Sequence, residues 1–299
     1  MNPAQPPLQT RRLTKFYGPI LGVGDLDLSM TKGEVLGFLG PNGSGKTTTI
    51  RLLVGLLRPT SGGASVLGHD VVRDSVEIRR RVGYLPSDVA LYGERTGEQL
   101  LGLSMRARGL DQTPPLGREI AGALDAPMDR PVKKLSRGMR QKVALVLTMA
   151  HDPEVLILDE PTAGLDPLAQ RTILDILDAA GQRGRSVFFS SHVLSEAERI
   201  CDRVAILREG RLLAFDRVEA LREQKYKEVT LAFSGDAPDL EGLDGLEVVW
   251  RHENRMTFRV RGEVGVLLTR LSRRGIEDLT ITEPSLEEVF LDYYRGAGT

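Results

Sequence analysis

Apolar and polar positions follow two different periods along the first two thirds of the chain. Short apolar runs alternate with stretches in which apolar residues recur every three or four positions. The runs EVLGFLG, RVGYL, VLILDE and SVFFSS predict buried strands, whereas TTTIRLLVGLL, LAQRTILDILDAAG and LSEAERICD predict helices. RVAILREG and RLLAFD predict paired strands around Gly210. This alternation predicts an α/β fold in which a mostly parallel sheet is covered by helices on both faces.

The strand pattern is interrupted once, between about Ser87 and Met149. There the spacing predicts a helix, a proline-rich turn and a second helix. We therefore expect a helical subdomain over about residues 88–149, inserted into a domain that spans residues 11–224. Residues 1–10 show neither period and are expected to form a disordered lead.

The pattern restarts after about Arg222 and predicts a separate small α+β domain over residues 225–299. KEVTLAF alternates with period two, and LEVVW, MTFRV and IEDLTI predict further strands. A last helix is expected to begin at Ser285. One helical face of this region carries Val264, Leu267, Leu268 and Leu271.

Composition narrows the classes of partner. The length of 299 residues suggests roughly two domains. Lysine and arginine number 40 against 41 acidic residues, so no global basic field attracts nucleic acid or anionic lipid, and no nucleic-acid partner is expected. The single cysteine, Cys201, excludes an intrachain disulfide and fits a reducing compartment. The start of the chain lacks a signal-peptide pattern, and no apolar run is long enough for a bilayer. We therefore expect any role at a membrane to be played from outside it.

The strongest chemical signal is GPNGSGKTT, which lies between a predicted strand and a predicted helix. It matches the phosphate-binding loop G-x-x-x-x-G-K-[ST] in the context that this motif requires. Its backbone N–H groups would surround the β-phosphate of a nucleoside triphosphate, its lysine would reach the β- and γ-phosphates, and the Thr47 hydroxyl would ligate Mg²⁺. The candidate ligands of this P-loop are Gly40, Pro41, Asn42, Gly43, Ser44, Gly45, Lys46, Thr47 and Thr48.

Two further strands end in polar residues that suit a triphosphate site. VLILDEP delivers Asp159, a candidate Mg²⁺ ligand acting through water, and Glu160, a candidate for polarising the attacking water. SVFFSSH ends at His192, which would reach the γ-phosphate and organise Glu160 and the water. We expect the three side chains to meet because the carboxyl ends of parallel strands share one edge of the sheet.

The segment LSRGMRQ predicts an anion-binding helix start. Ser136 is placed as an N-cap before an amphipathic helix, which leaves free backbone N–H groups just beyond it. The order GPNGSGKTT, LSRGMRQ, LILDEPTAGLDP and SSH resembles the ATP-binding subunits of ATP-binding-cassette (ABC) transporters over about residues 8–222. That resemblance implies a P-loop NTPase (RecA-like) core with an inserted helical subdomain, followed here by the α+β domain.

The resemblance also assigns residues. Tyr17 matches the aromatic position that stacks on adenine, although it is also compatible with an ordinary strand aromatic. Asp166 matches the D-loop aspartate that communicates between subunits. The signature motif, which contacts ATP, falls on Ser136, Arg137, Gly138 and Met139.

Two positions depart from the family pattern. Arg137 and Met139 replace residues of the usual LSGGQ, while Ser136 and Gly138, the pair that presents hydroxyl and N–H to phosphate, are kept. Ser87 stands where the family places its Q-loop glutamine, a residue that links the metal to the membrane partner. A serine is too short to reach both, so it acts through an extra water, or Asp88 contributes, or the metal is held more loosely.

The resemblance implies an ATPase that works as a head-to-tail dimer of two copies, with two ATP molecules and Mg²⁺ held between the P-loop of one copy and the signature of the other. The ending ITEPSLEEVFLDYYRG resembles the ATPase subunits of type-2 ABC exporters, whose membrane-spanning permease is a separate polypeptide. This implies a peripheral protein on the cytoplasmic face of the membrane. A dimerisation or stabilising role is an equal reading of residues 225–299.

Three alternative classes share these motifs. DNA-maintenance ATPases carry long coiled coils before the signature, but here that interval is short and contains Pro114 and Pro115. Translation-type ATPases carry two cassettes in one chain, and this chain has one P-loop and one signature. A nucleotide switch without turnover is disfavoured by the presence of both Glu160 and His192.

Overall fold

The computed structural model describes residues 5–112, 114–223, 226–234, 245–260, 264–271, 275–282, 285–288 and 290. The chain divides into two compact units, Met1–Phe215 and Asp216–Thr299. The predicted boundary between residues 224 and 225 falls nine residues later than this division, because the short helix at 218–223 groups with the second unit.

The elements of the first unit follow one another in this order: β1 (Leu8–Tyr17), β2 (Ile20–Leu26), β3 (Ser29–Met30), β4 (Val35–Leu39), α1 (Lys46–Leu53), β5 (Ser61–Val66), β6 (His69–Asp70), α2 (Ser75–Arg81), β7 (Val82–Leu85), α3 (Gly97–Ala107), α4 (Pro115–Ala123), a 3₁₀ turn (Val132–Lys134), α5 (Arg137–Met149), β8 (Val155–Asp159), α6 (Pro167–Gln182), β9 (Ser186–Ser191), α7 (Leu194–Ile200), β10 (Arg203–Arg208) and β11 (Arg211–Arg217).

A six-stranded sheet with the order β11-β10-β4-β9-β8-β7 forms the centre of this unit. From β10 to β7 all neighbours are parallel, as the alternating pattern predicts. Every residue of β4, β8 and β9 is buried, which explains why these strands are continuous apolar runs. The parallel arrangement brings the residues that follow β4, β8 and β9 to one edge of the sheet.

A second sheet is antiparallel, and the hydrophobic pattern did not predict it. It has the order β2-β1-β5-β6, with β3 also paired to β1. The expected disordered lead is wrong for residues 8–10, because β1 begins at Leu8, which is fully buried and paired with Met30 and Val66. Residues 1–4 lie outside the described residues.

In the described residues between β7 and β8, the elements are α3, α4, the 3₁₀ turn and α5, with one isolated bridge between Thr96 and Pro131. The Thr96 hydroxyl caps α3 by accepting from the Gln99 N–H, and the Gln99 side chain accepts from the Thr96 N–H. A small core formed by Leu100, Val132, Leu135 and Val143 holds these helices together. The carboxyl end of β7 and the start of β8 therefore anchor a helical layer that carries α5.

The second unit contains α8 (Val218–Glu223), β12 (Lys227–Phe233), β13 (Leu246–His252), β14 (Arg255–Val260), α9 (Val264–Leu271) and β15 (Ile276–Thr282). The strands form an antiparallel sheet in the order β13-β14-β12-β15. Its core is built from Val229, Leu231, Phe233, Met256, Phe258, Val260 and Leu267.

A helix is expected to begin at Ser285, and residues 286–288 are helical in the structure. The Ser285 hydroxyl accepts from the Glu288 N–H at 3.3 Å. Residues 291–299, which include the end of ITEPSLEEVFLDYYRG, lie outside the described residues. No helix in the described part of the chain combines the length and apolar character needed to cross a bilayer.

Candidate functional site

The P-loop, residues 40–48, connects the buried strand β4 to helix α1. Gly45 is the N-cap of α1 with φ 104°, and a Cβ added there would lie 2.4 Å from the carbonyl oxygen of Gly22. Gly43 has φ 82°. A Cβ on Gly40 would lie 2.5 Å from Ser44 Oγ. The close path of the loop therefore requires glycine, and it leaves the N–H groups at the start of α1 available to an anion.

Lys46 is buried and curls back over the loop. Its Nζ donates to the carbonyl oxygens of Gly40 at 2.7 Å and Pro41 at 3.1 Å, and lies 3.7 Å from Glu160 Oε1. Burial lowers the pKa of Lys46, while the carboxylates of Glu160 and Asp159 act in the opposite direction. The ammonium group is therefore held at the mouth of the loop beside the acidic pair.

Asp159 and Glu160 are held by a serine that the sequence reasoning missed. Ser190 in β9 is paired with Asp159 in β8, and its hydroxyl donates to Asp159 Oδ1 at 2.6 Å. The Glu160 backbone N–H donates to the same hydroxyl oxygen at 3.0 Å. Asp159 is 1% exposed, and its Oδ2 has no hydrogen-bond partner among the described residues.

His192 follows the end of β9, and its Nδ1 lies 3.3 Å from Glu160 Oε1. The same oxygen of Glu160 faces Lys46, so one carboxylate lies between a lysine from α1 and a histidine from the end of β9. Glu160 is 22% exposed and His192 51% exposed, so both can be reached from solvent. The sequence predicts that Asp159, Glu160 and His192 share one sheet edge; in the structure His192 reaches Glu160, which directly follows Asp159 at the end of β8.

Three further predicted site residues are Tyr17, Thr48 and Ser87. The hydroxyls of Tyr17 and Thr48 lie 3.4 Å apart, and the Tyr17 ring is half exposed beside Gly22. Ser87 lies two residues beyond Leu85, the partner of Leu158 in β8, and is therefore at the same sheet edge as Asp159. Adenine stacking by Tyr17 and metal binding by Ser87 or Thr47 remain predictions.

The start of α5 has the predicted cap, since the Ser136 hydroxyl accepts from the Met139 N–H at 3.3 Å. A Cβ on Gly138 would lie 2.9 Å from the Gly164 carbonyl oxygen, and the Arg137 side chain lies beside Gly164. Among the described residues, no hydrogen bond or ion pair links residues 136–139 to the P-loop. The signature therefore packs on the segment after the acid pair rather than on the phosphate loop of its own chain.

Gln141, a second residue that the sequence reasoning missed, strengthens this packing. It is buried, and its Nε2 donates to the Pro161 carbonyl oxygen at 3.0 Å. Asp166 caps α6 by accepting from the Ala169 N–H at 2.9 Å, and this hydrogen bond lowers the pKa of Asp166. Helix α5 and the loop between β8 and α6 therefore form one connected body.

Comparison with known proteins identifies the family. Residues 23–163 match the family model whose description is "ABC transporter". The bacitracin transport ATP-binding protein BcrA of Bacillus licheniformis is 35% identical over 97% of both chains. The chain belongs to the ABC transporter family. The Nod factor export ATP-binding protein I of Burkholderia orbicola is 37% identical over 73% of both chains.

A solved ABC transporter ATP-binding subunit has the same fold as this ABC protein. It is 32% identical, with a TM-score of 0.66 over 73% of this chain and 92% of the other. This ABC protein is therefore an ATP-binding subunit with a P-loop NTPase core, and its activity is ATP hydrolysis. The family assignment confirms the resemblance drawn from the four motifs.

Proposed function

We propose that this ABC subunit powers export through a separately encoded transmembrane permease, by ATP-driven head-to-tail dimerisation of two copies. The observation that carries the proposal is the Glu160 carboxylate, which lies 3.7 Å from Lys46 and 3.3 Å from His192. Such an arrangement suits hydrolysis of a phosphoanhydride rather than nucleotide binding alone. The names of two relatives, for bacitracin transport and Nod factor export, support the export role.

Lys46 and the P-loop bind the triphosphate in this proposal. The backbone N–H groups at the start of α1 face the phosphates, together with Ser44, whose buried hydroxyl has no hydrogen-bond partner among the described residues. The Lys46 ammonium exchanges its two carbonyl acceptors for phosphate oxygens. Tyr17 stacks on the adenine ring at the edge of the same site.

The residues present fit a Mg²⁺ ion. Asp159 Oδ2 is buried and accepts no hydrogen bond from the described residues, so it has a lone pair free for a hard cation or its water. Asp159 and Thr47 would hold the ion, with Ser87 nearby. A Mg²⁺ ion held there would supply positive charge to neutralise the β- and γ-phosphates.

Glu160 accepts the proton of the attacking water, and His192 orients the carboxylate and donates to the γ-phosphate. The two adjacent carboxylates have different neighbours: Asp159 Oδ1 accepts from Ser190, whereas Glu160 Oε1 lies beside Lys46 and His192. The two carboxylates therefore take separate roles, one toward the metal and the other toward water.

The second copy supplies the other wall of the site. The Ser136 hydroxyl and the N–H groups at the start of α5 would contact the γ-phosphate of ATP bound to the partner, with Arg137, Gly138 and Met139 completing the segment. Asp166 would connect the two sites. The assembly would lie on the cytoplasmic face of the membrane as a peripheral protein, against its permease.

Replacing Glu160 by glutamine tests the proposal. Glu160→Gln keeps the shape but removes the base, so we expect ATP hydrolysis to fall at least about 100-fold. ATP should still bind, and dimers should accumulate because hydrolysis no longer separates them, as measured by size-exclusion chromatography with light scattering. Glu154→Gln is the matched control. Glu154 lies just before β8, whereas Glu160 lies just after it, and Glu154 forms an ion pair with Arg81 at the opposite edge of the sheet. Hydrolysis at the unmodified rate in Glu160→Gln would overturn the assigned role.

The partner is tested with the same variant. Tagged Glu160→Gln, purified from detergent-solubilised membranes in ATP, should retain a multi-span protein in stoichiometric amount. Recovery of the tagged chain only with ribosomes or DNA would overturn the transport role and favour a soluble ABC ATPase.

A further inference from the structure

Ser190 is a buried hydroxyl between the two acidic residues of the site. It has no exposed surface and lies in β9, paired in register with Asp159 in β8. Its hydroxyl donates to Asp159 Oδ1 at 2.6 Å, and its oxygen accepts the Glu160 N–H at 3.0 Å. One side chain therefore contacts both members of the acid pair.

The two hydrogen bonds fix each other's direction. A hydroxyl has one hydrogen, so donation to the carboxylate turns a lone pair toward the Glu160 N–H. The distance of 2.6 Å is that of a charge-assisted O–H···O⁻ bond. Oδ1 of Asp159 is held in this way, whereas its Oδ2 has no hydrogen-bond partner among the described residues and is the oxygen that could bind a metal ion or its water.

Glu160 needs such support because its backbone is left-handed, with φ 51°, a conformation that is unfavourable for a residue with a Cβ. Two backbone hydrogen bonds hold it there: its N–H donates to Ser190, and its carbonyl oxygen accepts from the Ala163 N–H at 3.1 Å. The Ser190 hydroxyl thus fixes the backbone N–H of Glu160, the residue whose side chain extends toward Lys46 and His192.

We propose that Ser190 is a positioning residue for the hydrolytic reaction: its hydroxyl orients Asp159 toward the metal and Glu160 toward water. This inference rests on the roles proposed above for those two residues. Ser190 itself does not touch the reacting atoms, and it acts through the acid pair.

The experiment compares Ser190→Ala, Ser190→Thr and a matched control in the same strand. Ser190→Ala removes the hydroxyl, and Ser190→Thr keeps it. Ser186→Ala is the control, because Ser186 is also buried, lies on the same face of β9 and accepts the Gly33 N–H at 3.1 Å, but at the opposite edge of the sheet. Thermal melting shows how far each variant is destabilised.

We expect kcat of Ser190→Ala to fall about 10- to 100-fold, while KM for ATP changes less than about twofold. Ser190→Thr should recover much of kcat, and Ser186→Ala should keep it. A second readout needs no turnover: Mn²⁺ binding in the presence of ATP, followed by electron paramagnetic resonance, should weaken about tenfold in Ser190→Ala. If Ser190→Ala does not fold, Ser190→Cys, which is similar in size but a weak hydrogen-bonding group, carries the same expectation.

An unchanged kcat in Ser190→Ala, or an equal loss in Ser186→Ala, would overturn the inference. Unchanged Mn²⁺ affinity would overturn its Asp159 part. Full hydrolysis in Ser190→Ala together with lost hydrolysis in Glu160→Gln would contradict the role of Ser190 but leave the role of Glu160 intact. Full hydrolysis in both variants would sink the role of Glu160 as well.

Discussion

At the scale of single residues, His151 gives the first unit a pH-dependent stability. It lies just beyond α5, and burial lowers its pKa to about 4, with the nearby positive charge of Arg108 adding to the shift. In the unfolded chain a histidine titrates near 6.5. As pH falls from about 6.5 to about 4, the unfolded state therefore binds the proton first, and the free energy of unfolding falls by up to about 3 kcal/mol.

His151→Gln removes this titration, so its free energy of unfolding should decline less than that of the unmodified protein between pH 7 and pH 5. Urea unfolding at both values measures the difference. His252→Gln, which replaces an exposed histidine in the same way, is the control for the substitution itself. Parallel declines in the unmodified protein and His151→Gln would contradict the assignment to His151.

The site residues that the sequence predicts belong to local motifs, whereas the residues it does not predict act through contacts that only the fold creates. Lys46 and Glu160 belong to local motifs whose flanking strand and helix are visible in the sequence. Ser190 belongs to an apolar run in which a serine looks structural, and its role depends on the register that pairs it with Asp159. Gln141 is an ordinary helix residue until the fold brings Pro161 within 3.0 Å.

At the scale of elements, the two left-handed glycines of the P-loop differ in what surrounds them. Gly43 has φ 82°, and among the described residues beyond its two chain neighbours no atom lies within 4 Å of a Cβ added there, whereas a Cβ on Gly45 would lie 2.4 Å from the Gly22 carbonyl oxygen. Gly43→Ala should therefore cost only the left-handed conformation, about 1–2 kcal/mol. Gly45→Ala should cost more, because backbone of β2 must also move.

Urea unfolding without nucleotide compares the two variants directly. Equal losses of unfolding free energy would mean that the contact between Gly45 and Gly22 relaxes without cost. The comparison separates the backbone requirement of the loop from any contact with phosphate, since no nucleotide is present.

The parallel sheet was predictable because its strands are buried on both faces and therefore appear as continuous apolar runs. The antiparallel sheet was not, for three local reasons. Strand β1, LQTRRLTKFY, is largely polar and has irregular register with β2. Strand β5, SGGASV, is rich in small residues, and β3 and β6 contain two residues each. The burial of Leu8 results from the pairing of these strands and cannot be predicted from the local pattern of β1.

At the scale of the whole molecule, half of the proposed site is supplied by a second copy. Within one chain, α5 is joined to the segment after the acid pair through Gln141 and Gly138. In the proposed dimer, the start of α5 would therefore be tied to the acid pair of its own chain while it contacts the nucleotide of the partner. The head-to-tail pairing of the two halves can be tested by complementation.

Heterodimers of Lys46→Ala and Ser136→Arg provide that test. Each variant alone should lack hydrolysis, the first because it loses the phosphate-binding lysine and the second because its arginine blocks the signature. In a head-to-tail heterodimer, one site combines the intact P-loop of the Ser136→Arg chain with the intact signature of the Lys46→Ala chain. Heterodimers isolated through two different affinity tags in ATP should therefore hydrolyse at up to about half the unmodified rate per dimer. The control pairs an unmodified chain with a chain carrying both changes, and this heterodimer should be inactive because neither site is complete. If each signature served the nucleotide of its own chain, the two results would be exchanged, with the control active and the mixed variants inactive.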